Sequence, residues 1–127
     1  MKSNSDVFEN VIGKEHVLTE PEDLKKYHYA NIPIERVIDA VIKPGTKEEI
    51  CEIVKIANQH RIGLYPVSTG NNWGYGSANP VRNHNVIVDL SRMNRILEEN
   101  PELANAVKEP RVTQQQKYAH LKENQTV

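Results

Sequence analysis

Cysteine, tryptophan and phenylalanine each occur once in this sequence of 127 residues. The lone Cys51 cannot form an internal disulfide, supports no zinc site and fits a reducing compartment. The histidines, His16, His28, His60, His84 and His120, show no pair at metal-ligand spacing. Each reads as a solvated side chain, and no metal is expected. No serine sits in a nucleophile elbow, so no catalytic residue is assigned. Long apolar runs are missing too, which excludes a membrane-spanning helix. The start, Met-Lys-Ser-Asn-Ser-Asp, lacks the apolar core of a secretory signal. A cytoplasmic location is therefore expected. Charge of one sign is not in excess: 16 Lys and Arg face 17 Asp and Glu, for a net charge of −1. With no basic stripe, neither nucleic acid nor a membrane surface is an expected partner. The dinucleotide motif GxGxxG and the mononucleotide motif GxxxxGK with Ser or Thr are both absent.

What is present suits one domain by length. Residues 1–15 are mostly polar, with short apolar patches at Val7-Phe8 and Val11-Ile12. Pro21 marks a helix start, with a brief helix over 23–27. Residues 37–42 are β-branched, closed by Pro44-Gly45, and read as a strand. Thr46 and Glu49 match a capping box. Ile50, Ile53, Val54 and Ala57 then form one apolar helix face. Cys51, beside that face, reads as buried filler. Gly63 is placed as the stop, after His60 and Arg61. Residues 64–67 and 86–90 read as further strands, and strand, helix, strand suggests a right-handed βαβ unit with parallel strands. Met93 and Ile96 are expected to pack around a turn. Glu98, Glu99 and Glu102 read as a solvated face, 103–108 as a weaker strand and 114–123 as a polar helix.

The segment that stands out is Pro66-Val-Ser-Thr-Gly70-Asn-Asn-Trp-Gly74-Tyr-Gly76-Ser-Ala-Asn-Pro80. Its glycines allow positive φ, and a loop bent that way can aim several N–H groups at one anion. Ser68, Thr69, Asn71 and Asn72 add short donors. Ordinary turn chemistry explains the same residues. The stretch between Pro66 and Val81 has no Lys or Arg, so an anion there would be held by neutral donors. The loop follows a strand, and open α/β sheets bind ligands beyond the carboxyl ends of their strands.

Ile42-Lys-Pro44, the helix after it, the loop, Val88-Asp-Leu90, Met93-Asn-Arg-Ile96 and Glu109-Pro110-x-Val-Thr113 come in one order. Together they resemble the start of the FAD-binding domain of the vanillyl-alcohol oxidase / p-cresol methylhydroxylase flavoproteins, over about residues 33–122. The resemblance is closest to members that oxidise para-substituted phenols. It implies an α/β (α+β) fold: a small β-α-β subdomain of a PCMH-type FAD-binding domain, incomplete. Residues 1–32 would be an N-terminal extension with a short helix, and 33–127 the first part of the FAD domain. Family members resemble chains several times longer, so a fragment or reduced homologue is implied. Val67, Ser68, Thr69, Gly70, Asn71 and Asn72 match the family's pyrophosphate loop. Gly74 and Gly76 would let the backbone pass close to FAD, and Tyr75 could flank it, although core packing explains Tyr75 and Trp73 as well. Pro110, Val112 and Thr113 match a block near the cofactor.

Two positions depart from the family pattern. Asn71 stands where members often carry Arg or Lys, which removes a positive charge and should lower affinity. Arg111 stands where the pattern has Gly. It is a poor fit to a crowded or positive-φ position, or else a new cation near the diphosphate. The implied function is the FAD-binding segment of an oxidoreductase acting on para-substituted phenols. The alternative is a non-catalytic remnant or partner-binding module, completed by another chain or by a homo-oligomer. The chain alone is expected to bind FAD weakly and to turn nothing over.

Overall fold

The computed structural model describes residues 5–29, 34–71 and 77–124. Its elements follow in the order α1 (Asp6–Ile12), β1 (Val17–Leu18), α2 (Pro21–Leu24), β2 (Ile38–Ile42), α3 (Lys47–His60), β3 (Gly63–Val67), β4 (Asn85–Asp89), β5 (Ile96–Asn100), β6 (Asn105–Lys108) and α4 (Gln114–Glu123). β1 to β4 form one sheet in the order β1-β2-β4-β3, and β5 and β6 form a two-stranded hairpin.

The β-branched runs of β2 and β4 are buried on both faces, as parallel strands covered on each side must be. Alternation then sorts their side chains. Ala40, Ile42, Val86 and Val88 pack with Ile53 and Ala57 of α3 and with Phe8 and Ile12 of α1. Val41 and Ile87 face the opposite way, onto Leu24 and Tyr27. The pairing shifts by one residue between Ile38 and Ala40. Such a bulge breaks the period of two, and Ile38 accordingly joins the second cluster.

The expected strand, helix, strand unit is present with one refinement. β2 and β3 both run parallel to β4, which lies between them. β1 adds an antiparallel edge to β2. Phe8 is fully buried, so the N-terminal patches that look isolated in a polar stretch belong to the core.

The ends of α3 show why it forms. The Thr46 hydroxyl accepts the Glu49 N–H at 3.1 Å. The Glu49 carboxylate reaches back to the Gly45 N–H at 2.7 Å, one residue beyond the position a capping box predicts. The helix stops at Arg61 in left-handed conformation, φ 56°, and the Ile62 N–H returns to the Ala57 carbonyl at 2.8 Å. Arg61, not Gly63, is thus the αL residue of the C-terminal motif. Gly63 opens β3, paired with Asn85. A Cβ there would meet the Asn85 Oδ1 at 2.5 Å, which accounts for the glycine. Two helix-face expectations also fail. Val54 is 43% exposed and Cys51 is exposed rather than buried filler, while Ile56 packs, partly buried, against the cluster of Ile53 and Ala57.

Beyond β4, Glu98 and Glu102 are exposed as expected, while Glu99, in β5, is half-buried and drawn to His120 of α4 at 3.0 Å. α4 carries a full capping box, in which Thr113 and Gln116 satisfy one another's backbone N–H groups. Among the described residues no helix is long and apolar enough to cross a membrane, and no three His, Cys, Asp or Glu cluster at metal-binding distance.

Candidate functional site

Parallel pairing sets Val67 opposite Asp89, so the segment after β3 leaves at the carboxyl end of the sheet. Of the singled-out loop, residues 66–71 and 77–80 are described, and Ser68 to Asn71 follow the strand there. The Ser68 hydroxyl donates to the Pro110 carbonyl at 2.5 Å. That bond joins the loop to the Glu109-Pro110 block across 42 positions of sequence. Thr69 Oγ1 accepts the Asn71 N–H at 3.1 Å, a side-chain turn of the kind that short hydroxyl residues make. Gly70 between them has φ +71°, the conformation its lack of a Cβ permits. The Ser68 hydroxyl proton and the Asn71 amide are therefore engaged within the protein. The Thr69 hydroxyl, an acceptor in its turn, keeps its own proton to donate.

The second wall is braced separately. The Arg95 guanidinium grips the Glu109 carboxylate, with Nη2 to Oε1 at 2.7 Å, and the Arg95 N–H donates to Oε2 at 2.7 Å. The Arg95 hydrogen bonds hold the Glu109 carboxyl below the ordinary carboxylate range. The Glu109 N–H returns to the Arg95 carbonyl and the Arg111 N–H to the Met93 carbonyl, each at 2.9 Å. Met93 is in turn positioned by the tight turn Leu90–Arg92, which Asp89 caps through the Ser91 N–H at 2.8 Å. The other oxygen of Asp89 accepts the Tyr27 hydroxyl at 2.5 Å. Burial, and then this carboxylate, push the Tyr27 phenol well above its ordinary pKa.

Between the walls lies a cleft of about 500 Å³. Ser68, Thr69 and Asn71 line one side, and Pro110, Val112 and Thr113 the other. Six of the sequence-predicted residues thus come together. Val67 packs instead against the second core cluster, and Gly70 does not line the cleft. Asn72, Gly74, Tyr75 and Gly76, with Trp73, lie outside the described residues.

Arg111 behaves differently from either expectation. Among the described residues, positive φ outside glycine occurs at Arg61, His84 and Ala104, so Arg111 has an ordinary backbone. It does not line the cleft either, whereas Lys108 does. The Lys108 ammonium donates to the Val112 carbonyl at 2.9 Å and retains two further N–H groups. Sequence reasoning passed over Lys108. Its one signal was its place directly before the Glu109-Pro110 block. An ammonium, a hydroxyl donor and an open cleft beside a left-handed glycine suit a phosphorylated cofactor.

A family model described as the FAD binding domain matches residues 38–127. The chain belongs to the FAD binding domain family. It is 39% identical over 120 residues to the 4-cresol dehydrogenase [hydroxylating] flavoprotein subunit of Pseudomonas putida, covering 92% of this chain and 23% of that protein. It is 43% identical over 114 residues to 1'-carboxy-chondrochloren decarboxylase of Chondromyces crocatus, covering 90% and 21%. Its fold superposes on p-cresol methylhydroxylase with substrate bound at a TM-score of 0.89 and 37% identity, over 97% of this chain and 24% of that one. The chain therefore spans less than a quarter of the length of these relatives. Its architecture is part of a PCMH-type FAD-binding domain, related to flavin oxidoreductases, and FAD is the cofactor of that domain.

Proposed function

We propose that this chain is the FAD-binding segment of a flavin-dependent oxidoreductase acting on para-substituted phenols, with the FAD diphosphate held by the loop 66–76. The observation that carries the reading is the Ser68–Pro110 bond, which gathers the loop and the Pro110, Val112 and Thr113 block around one cleft. Bound FAD would supply the redox chemistry, accepting a hydride from a benzylic carbon. The chain's own part is to bind and orient. Thr69 donates from the turn, and Gly70 lets the loop bend. The Arg95–Glu109 pair keeps the opposite wall in register. Residues 33–127 carry the FAD segment in this reading, while Phe8 and β1 brace its sheet from the N-terminal extension. The phenol class is drawn from the p-cresol relatives; the decarboxylase relative bears a different reaction name on the same domain.

A second reading is a module completed by another chain or by a second copy. The hairpin favours it, since Leu97 is 57% and Val107 50% exposed. Both readings meet one experiment, titration of FAD with the 127-residue chain, followed by quenching of flavin fluorescence. Saturable binding that Gly70→Val weakens by roughly tenfold or more, and Gly70→Asn weakens less, supports the cofactor site. Asn tolerates the left-handed backbone that a β-branched residue does not. A folded chain that shows no saturable binding rejects an autonomous FAD site and leaves the completed-module reading.

A further inference from the structure

We propose that Lys108 is the cation of the diphosphate site and takes over the charge absent at Asn71; this rests on the FAD reading of the cleft. The loop offers neutral donors, and FAD brings two phosphate charges. Asn71 lines the cleft with an amide. The guanidinium of Arg111 lies outside the lining, and that of Arg95 is committed to Glu109. Lys108 is left as the charged residue among those that line the cleft.

Its geometry suits the role. Lys108 ends β6, and the next residues form the wall opposite the loop. The hydrogen bond from Nζ to the Val112 carbonyl holds the ammonium beside that wall at 2.9 Å. One donor is used and two point elsewhere, so a phosphate oxygen can be added without breaking the bond. The neighbouring carboxylate is no competitor, because Glu109 is buried against Arg95. A compact ammonium acts on phosphate as a point charge. It can therefore work from the wall facing the loop, where the bidentate geometry of arginine is not required.

The test compares FAD titrations of the wild-type chain, Lys108→Gln and Lys108→Arg at low and high ionic strength. A charge-assisted bond at an exposed site is expected to be worth about tenfold in Kd. Lys108→Gln should bind FAD about tenfold more weakly than wild type. It should also lose much of the salt dependence, since screening acts on the charge and not on packing. Lys108→Arg should stay near wild type. Asn71→Arg added to Lys108→Gln should restore both affinity and salt dependence. A merely structural role for Lys108 would leave the salt response unchanged. If Lys108→Gln keeps wild-type affinity and salt response while Gly70→Val has lost binding, the cleft holds FAD and the Lys108 assignment is wrong. If the folded wild type shows no saturable binding, the chain has no autonomous FAD site and Lys108 is not the cation of one. Should Lys108→Gln not fold, salt-insensitive binding by the wild type alone overturns the proposal.

Discussion

Replacing Tyr27 with phenylalanine removes one hydroxyl and leaves the ring that packs on Val41 and Ile87. The lost contact is the 2.5 Å bond to Asp89, a residue 9% exposed. A hydrogen bond to a charged group contributes about 1.5–3 kcal/mol. With a urea m-value of about 2 kcal/mol/M for a domain of this size, the midpoint should fall by about 1 M at unchanged m. A second signature is pH. Burial and Asp89 raise the Tyr27 phenol well above its ordinary value of about 10. The native phenol therefore stays protonated where the unfolded one ionises. Its contribution is fully present below pH 10 and falls as pH rises, by up to about 1.4 kcal/mol per pH unit. Tyr27→Phe lacks that loss, so the gap between the two proteins should narrow in alkaline urea titrations. Equal midpoints at pH 7, or a gap that stays constant from pH 8 to 11, would refute the reasoning.

Phe8→Ala empties a fully buried position between α1 and the sheet and should cost about 3–5 kcal/mol by chemical denaturation. Thr46→Ala removes the acceptor of the Glu49 N–H and should cost about 1 kcal/mol, with Thr46→Ser close to wild type in the same assay. The Glu109 carboxyl is held low by Arg95. Its stabilisation is present above the unfolded pKa and lost as pH falls through the folded one. Glu109→Gln should therefore lower the melting temperature near neutrality and flatten the acid limb of the melting temperature against pH.

The parts legible in the sequence are those in which local pattern and tertiary role agree. β2 and β4 are β-branched because both faces are buried, and α3 has a cap and an apolar stripe because it lies on the sheet. α1 escaped notice because seven residues with two apolar pairs are too short for periodicity to speak. Phe8 is helical through what it packs against. β5 has no strand signal of its own because its strand character comes from pairing with β6, and of its two carboxylates Glu99 leaves the solvated face for a partner on α4. Gly63 looked like a helix stop because a glycine after His60 and Arg61 has that local meaning. Its reason lies across the sheet, at Asn85. For the site, the glycines and short donors of the loop are legible as a possible anion cradle, whereas the Glu109-Pro110 block and its place near the cofactor come from the family resemblance. The contact itself has no local signal, since it depends on Ser68 finding a carbonyl far along the chain.

That distance shapes how the cleft works. One wall hangs from the parallel sheet through β3, and the other hangs from the hairpin through Arg95 and Glu109. Each has hydrogen bonds of its own, and the Ser68–Pro110 bond joins them. Charge can then be carried on either wall without rebuilding the other. An arginine at position 71 would place it on the loop, and Lys108 places it opposite, on the wall that the Glu109 pair already fixes. The loop is freed from holding a long cationic side chain next to the left-handed turn at Gly70. The backbone N–H of Asn71, which any residue but proline would offer, goes to Thr69 and closes the turn. On this reasoning Asn71 and Lys108 form one arrangement, in which the loop supplies shape and the facing strand supplies charge.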